Sequence, residues 1–334
     1  MARHHTLGIA MTYVLTENVR YTDLAGEFAP RMNGLQILQR VRRLRQCYVT
    51  EAILCDRLAE LPQQLAHPTV RPWGAIAWGD VHPDQLIGID RATFCATLLG
   101  TINTEAPIRG YTQSSRQYLA QLYPAMARYV GGQLDESGKL VEVGLWEREE
   151  KRHTPALAKL YTLLSGEKPD IVPHAARPYQ PAADPHENLY RHGLHRVATE
   201  YGATCLYIWM MAHSTGALQA VLAELLIDEI NHMTKFWGFG MWAYPDSSLV
   251  KIGHTLGQAM VRKLSDRTTQ GSLLHTLRRM MHELAWQQWS PSHRLALLYT
   301  FDQVIKALWD WNRTLTPAHL DSLFGPPPAT AKTP

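Results

Sequence analysis

Glu200-Tyr-Gly-Ala-Thr-Cys205, running through His213-Ser-Thr-Gly216 to Asp228-Glu229-Ile-Asn-His232, is the stretch on which the architecture turns. Glu200 and Glu229 are 29 residues apart, and the midpoint falls in His213-Ser-Thr-Gly216, a polar run ending in glycine that reads as a turn. A hairpin folded there brings both glutamates to the same depth on adjacent antiparallel helices. Cys205-Leu-Tyr-Ile-Trp-Met-Met-Ala212 before the turn, and Val221-Leu222 and Leu225-Leu-Ile227 after it, make both helices apolar enough to be buried. Asp228 and Glu229 are costly neighbours in such a helix unless a cation meets them.

His232 follows Glu229 by three residues, so both lie on one helical face and can grip one ion. The same spacing occurs in Glu150-Lys-Arg-His153. One Glu-x-x-His on a charged helix is commonly a solvated surface pair, and His232 beside Met233 and Phe236 can be a core histidine. Two such motifs with a hairpin-spaced Glu200 point instead to a di-iron carboxylate site inside a four-helix bundle, where four carboxylates and two neutral imidazoles balance two ferrous ions. The fourth helix is harder to find. Reflecting Glu150 through the turn Gly131-Gly-Gln-Leu-Asp-Glu-Ser-Gly138 lands at Leu119 to Tyr123, where Gln117 and Gln121 are the nearest polar groups and no carboxylate occurs. Glu105 is the best remaining candidate, and it requires an irregular stretch that Pro107, Gly110 and Pro124 can supply.

These residues resemble those of the soluble acyl-ACP desaturases of plants and bacteria, ferritin-like di-iron proteins that act on acyl chains held by acyl carrier protein. Trp146-Glu-Arg-Glu-Glu150-Lys-Arg-His153, followed by Leu160-Tyr161 and Leu164-Ser-Gly166, is similar to the family's first chelating helix, and Asp228-Glu229-Ile-Asn-His232 to its second. Thr104-Glu105-Ala-Pro107 resembles the first-helix glutamate with its proline, and Asp135-Glu-Ser-Gly138 the next turn. The likeness covers about residues 75 to 265. It implies metal ligands Glu105, Glu150, His153, Glu200, Glu229 and His232, two iron ions with manganese in place of one as an option, dioxygen as oxidant, acyl carrier protein and a ferredoxin-type donor as partners, and a homodimer. It also implies a catalytic part for Glu150, His153, Glu229 and His232, as ligands of the metals at which dioxygen would be reduced. The family places a threonine one turn after the third-helix glutamate; here Ala203 holds that place and Thr204 follows, so Thr204 is the candidate for the threonine's part in the oxygen chemistry. Trp78 in Ala77-Trp78-Gly-Asp80 is the counterpart proposed for an electron-path tryptophan, Asp228 orients the histidines, and Trp146 and Trp209 are candidates to line a dry apolar channel, either being as readily core.

The expected activity is thus oxygen-dependent desaturation of an acyl chain in lipid metabolism. The alternatives are a di-iron oxygenase (hydroxylase or N-oxygenase) acting on another small molecule, and a ferritin-like protein that binds metal or ligand without turnover.

The rest of the chain is consistent with one enzyme-sized helical unit. Its 334 residues are 46% hydrophobic, with no linker or repeat. Residues 1–20, including His4-His5, read as an arm, 21–324 as one ferritin-like domain with additional helices, and Gly325 to Pro334 as a disordered tail. Helices are expected over Leu35–Leu61, Asp90–Ile102, Ser114–Val130, Leu140–Leu164, Glu187–Ala212, Ala217–Phe239, Leu249–Leu264, Gly271–Trp289 and Ser292–Trp311, bounded or kinked at Pro124 and Pro155, with no strand pattern. Pro169 to Pro185 reads as a crossover between two helical hairpins. Cys47, Cys55, Cys95 and Cys205 form no metal or disulfide framework, so a reducing, cytoplasmic setting is expected. No apolar run reaches the ~20 residues of a membrane span, and no signal segment precedes Glu17 and Arg20. A net charge of +3 does not suggest nucleic acid. Gln39-Arg-Val-Arg42-Arg43-Leu-Arg45 reads first as a solvated helix face and second, with Lys263 and Arg278-Arg279, as a surface for acidic partners.

Overall fold

The computed structural model describes residues 32–173, 175–176, 178–181, 183–244 and 281–326, and these are almost entirely helical. Polar residues start the helices where the sequence supplies them. Asn33 opens α1 (Gly34–Tyr48) with a reciprocal capping box, and the Thr50 hydroxyl accepts from the Ile53 amide to open α2 (Glu51–Ala59). That cap is why the helix expected over Leu35–Leu61 is broken. α3 (Leu61–Ala66) completes the N-terminal group.

Asp90 caps α4 (Arg91–Glu105), whose last residue is the candidate ligand Glu105. The irregular stretch expected beyond it consists of two further helices, α5 (Ile108–Leu119) and α6 (Pro124–Gly131), with Pro107 and Pro124 at their starts and Gly110 inside the first. Two short strands that the sequence did not suggest follow: β1 (Gln133–Leu134) pairs antiparallel with β2 (Leu140–Glu142). Asp135 Oδ1 shapes their turn by accepting from the amides of Ser137 and Lys139, both at 2.9 Å. Strands of two and three residues are too short to register as alternation.

The helix expected over Leu140–Leu164 is therefore three elements, β2, α7 (Leu145–Glu150) and α8 (His153–Ser165). The break at Lys151-Arg152 lies just before Pro155, which has no N–H to give the Lys151 carbonyl. Both residues keep right-handed helical dihedrals, so Glu150 and His153 remain on one face across the break.

α9 (Pro185–Ala212) and α10 (Gly216–Ala243) form the hairpin expected from the first stretch, turning at His213 to Thr215. The turn is clamped from outside. Gln85 accepts from the Thr215 amide at 2.9 Å, and Arg40 donates to the carbonyls of Ala212 at 2.8 Å and Ser214 at 2.6 Å, satisfying the end of α9. Residues 205–212 and most apolar positions of α10 are buried. α9 packs along α10, and α4 along α8, so the four ligand-bearing segments come as two pairs. α11 (Pro291–Asn312) lies against α1 and α9, and α12 (Pro317–Phe324) against α10.

The chain between α8 and α9 crosses without helix or strand in its described parts, and the Asn103 amide oxygen accepts from the Val172 amide at 2.8 Å on the way. Of the helix expected over Gly271–Trp289, the described part ends by Glu283 and gives way to a left-handed Ala285 and a short 3-10 turn, Trp286–Gln288. The expected arm 1–20, the helix Leu249–Leu264, Lys263, Arg278-Arg279 and the tail from residue 327 lie outside the described residues. No helix among the described residues is long and apolar enough to cross a membrane.

Candidate metal centre

The six residues singled out by spacing and resemblance come together between the two helix pairs. Glu105, Glu150, His153 and Glu229 form one set, and Glu150, Glu200, Glu229 and His232 a second, each with ligand atoms within 4.8 Å of one another. Glu150 and Glu229 belong to both. His153 Nδ1 lies 3.2 Å from Glu150, 3.1 Å from Glu229 and 4.0 Å from Glu105; His232 Nδ1 lies 2.8 Å from Glu150 and 3.7 Å from Glu200. All are buried save Glu105, whose side chain is 13% exposed.

The donor atoms crowd one another at ion-pairing distance, the imidazoles against the carboxylates. His153 Nδ1, His232 Nδ1, Glu200 Oε2 and Glu229 Oε1 are all buried and make no hydrogen bond. Buried polar atoms without hydrogen bonds are expensive, and acids and imidazoles crowded this closely suit an ion-binding pocket. Four carboxylates and two imidazoles suit divalent first-row metals such as iron and manganese, so the residues fit the expected ions.

Around this core, each imidazole is held by its far nitrogen. His153 Nε2 lies 3.3 Å from Asp228 Oδ2, and His232 Nε2 3.0 Å from Glu149 Oε2. With Nε2–H donating outward, the Nδ1 lone pair serves a metal once Nδ1 sheds any proton. Asp228 is fixed in turn by Trp73 Nε1 at 2.8 Å, Arg71 at 2.8 Å and Arg152 at 2.7 Å, while Glu149 accepts from the Arg71 amide at 2.9 Å. The indole at Asp228 is Trp73, and Trp78 carries Lys159 over its ring at 4.3 Å. Glu149 and Tyr207, whose hydroxyl points to Glu105 at 3.4 Å, were not singled out. Both left a signal: Glu149-Glu150 repeats the pattern of Asp228-Glu229, and Tyr207 stands two turns beyond Glu200.

The electrostatics are those of crowded acids. Burial, then the neighbouring Glu150, pushes Glu105 up to about 8 and Glu229 to about 7, and Glu200 is raised by the same causes. Burial would raise Glu150 too, but His153 and His232 outweigh it and hold this carboxyl well below its usual range. Both imidazoles are raised against burial, chiefly by Glu150, and Asp228 is lowered against burial by His153 and Arg71.

A cavity of about 640 Å³ opens onto the cluster and is walled by Glu105, Glu150, Glu200 and Glu229. Its wall is mixed, Arg196, His192, His195 and Arg191 sharing it with Tyr111, Trp146 and Leu206, and a second cavity of about 560 Å³ that shares His192, Arg196 and Leu206 is lined mostly by apolar side chains such as Leu189, Phe236 and Phe239. Trp146 lines it and donates to Glu150 at 2.9 Å; Trp209 is core, stacked on Trp289 at 4.2 Å. Beside Glu200 the wall is Ala203, while the buried Thr204 hydroxyl makes no hydrogen bond. The arginine stretch is not a continuous solvated face: Arg40 is fully buried, Arg45 donates to the Gln303 carbonyl, and Arg42 is exposed.

Comparison with family models, with curated proteins and with solved structures finds no match to this chain, so the reading of its function rests on the site itself.

Proposed function

We propose that this protein is a dinuclear-iron, dioxygen-dependent oxidoreductase built on a ferritin-like four-helix core. The observation that carries the reading is the pair of overlapping ligand sets sharing Glu150 and Glu229, with their donor atoms turned toward one another. Two ferrous ions held there would supply reduction of dioxygen and removal of hydrogen from an unactivated bond. The protein's own part is to place six donors, to fix His153 and His232 through Asp228 and Glu149, and to admit substrate through the cavity while Trp146 and Tyr207 hold Glu150 and Glu105.

Desaturation of an acyl chain, with acyl carrier protein and a ferredoxin-type donor as partners, is the activity the sequence resemblance suggests. Oxygenation of a polar small molecule is a second reading, and the arginine- and histidine-bearing cavity wall favours it. The test is elemental analysis after anaerobic loading with ferrous iron, followed by oxygen uptake with candidate substrates and product analysis. About two irons per chain with substrate-dependent uptake supports the oxidoreductase, and the product separates an alkene from an alcohol or N-oxide. Iron without any such uptake points to a metal-binding protein without turnover, and absence of iron sinks the reading.

A further inference from the structure

The second cavity is walled chiefly by α9, α10 and α11, and helical spacing orders its wall. Leu297, Phe301, Ile305 and Trp309 recur every fourth residue and bring one stripe of α11 to it, while α10 contributes Phe236, Phe239 and Met241. Ring faces and edges with a thioether among them suit an aromatic guest better than a plain alkyl chain. The volume of about 560 Å³ falls within the roughly 300–1,000 Å³ of small-molecule sites, and Trp309, 42% exposed, marks the side toward solvent.

Two residues of this wall are glycines inside helices, Gly193 on α9 and Gly240 on α10. Glycine weakens a helix relative to alanine. No close approach calls for it here, since a Cβ at either position would meet nothing within 4 Å among the described residues. What the missing side chains preserve is room in the cavity. The wall also disfavours charge. His192 shares a 2.8 Å hydrogen bond with Ser115 through Nε2, and burial, then Arg196 and His195, hold it well below its ordinary range, so the ring is neutral. Among the described residues of the wall Arg196 alone is charged, and it is already engaged. Its guanidinium lies 5.3 Å from the Tyr111 ring centre and 5.7 Å from that of Trp146, and its charge acts on Glu200. A charged guest would give up its water there with nothing left to replace it.

We propose that this cavity is a binding site for an uncharged aromatic molecule, seated between the Phe236 to Met241 turn of α10 and the Phe301–Trp309 stripe of α11. Binding there does not depend on iron at the cluster, although His192, Arg196 and Leu206 also line the cavity that reaches it.

The experiment is photolabelling of the full chain with benzophenone, an uncharged diaryl ketone that inserts into neighbouring C–H bonds on irradiation, with the labelled peptides mapped by mass spectrometry. Label should concentrate on residues 236–241 and 297–309. Biphenyl should suppress it at a roughly tenfold lower concentration than biphenyl-4-carboxylate or 1-dodecanol. Gly193→Leu and Gly240→Leu, which put a side chain into the cavity, should each cut this labelling severalfold with helical circular dichroism unchanged. Label spread evenly or concentrated elsewhere, or suppressed equally well by the carboxylate or the alcohol, overturns the proposal on the wild-type protein alone. Undiminished labelling in both leucine variants overturns it as well.

Discussion

Glu149 and Asp228 each precede a cluster glutamate by one residue, yet each pairs with the histidine of the other motif. The two motifs therefore brace one another: moving α7 tilts His232, and moving α10 tilts His153. Removing the charge of either acid should leave the six inner donors in place but release an imidazole to rotate. Glu149→Gln and Asp228→Asn are each expected to weaken ferrous affinity about ten- to hundredfold, read by competition with a fluorescent chelator. Unchanged affinity in both would mean that the imidazoles are held by packing alone. This layer shows how far the sequence could be read. Three-residue spacing exposed both Glu-x-x-His pairs because it is set within one helical turn, and the turn at His213 to Thr215 placed Glu200 opposite Glu229. The partners Glu149, Trp73 and Tyr207 act on residues as much as 155 positions away, and although Glu149 and Tyr207 stand in suggestive places, no local pattern says which distant residue each contacts.

Among the elements, the short hairpin between α6 and α7 controls where Glu149 and Glu150 stand. Gly132 and Gly138 both have positive φ, 80° and 81°, but their surroundings differ. A Cβ on Gly132 would lie 1.8 Å from the Glu142 carbonyl oxygen and 2.8 Å from the Gly144 amide, whereas one on Gly138 would meet open space. Gly138→Ala should therefore cost only the backbone penalty, about 1 kcal/mol. Gly132→Ala adds a clash with backbone that cannot yield, and should cost about 3 kcal/mol and reduce iron uptake by shifting α7. Chemical denaturation of both variants checks this, and equal losses would show that the approach at Gly132 is relieved elsewhere. The sequence marked this region as a turn, through Gly131-Gly132 and Asp135 to Gly138, without showing its strands. It also ran helices together at Thr50 and Lys151-Arg152, because apolar periodicity continues through a cap or a proline-induced break even where hydrogen bonding does not. Arg40 belongs to the same lesson: within its helix it reads as one of four basic residues, and only the fold shows it satisfying the end of α9.

For the molecule as a whole, the helical class was legible because long amphipathic and apolar periods dominate the chain, while the polar character of the cavity arises from α9 facing α5 and α7 and has no linear signature. The same assembly concentrates charge in a way that sets its response to metal and pH. In the metal-free protein the raised pKa values, about 8 for Glu105 and about 7 for Glu229, mean that both carboxyls retain protons at pH 6, as do the raised His153 and His232. A divalent ion needs these donors deprotonated, so binding must expel protons, and affinity must climb as pH rises. Glu150, held low by the two imidazoles, is already ionised and adds nothing to the slope. Ferrous affinity should therefore increase from pH 6 to pH 8, and Glu105→Gln should flatten the rise. Because the ions bind the folded chain alone, saturation stabilises it: at a free concentration of a hundred times Kd the gain is about 2.7 kcal/mol, enough to raise the melting midpoint by about 5 °C. Anaerobic melting curves with and without ferrous iron at pH 6, 7 and 8 test both consequences together. The shift should grow with pH, and a shift that is constant or that shrinks toward pH 8 would mean that the cluster acids do not carry protons that metal must displace.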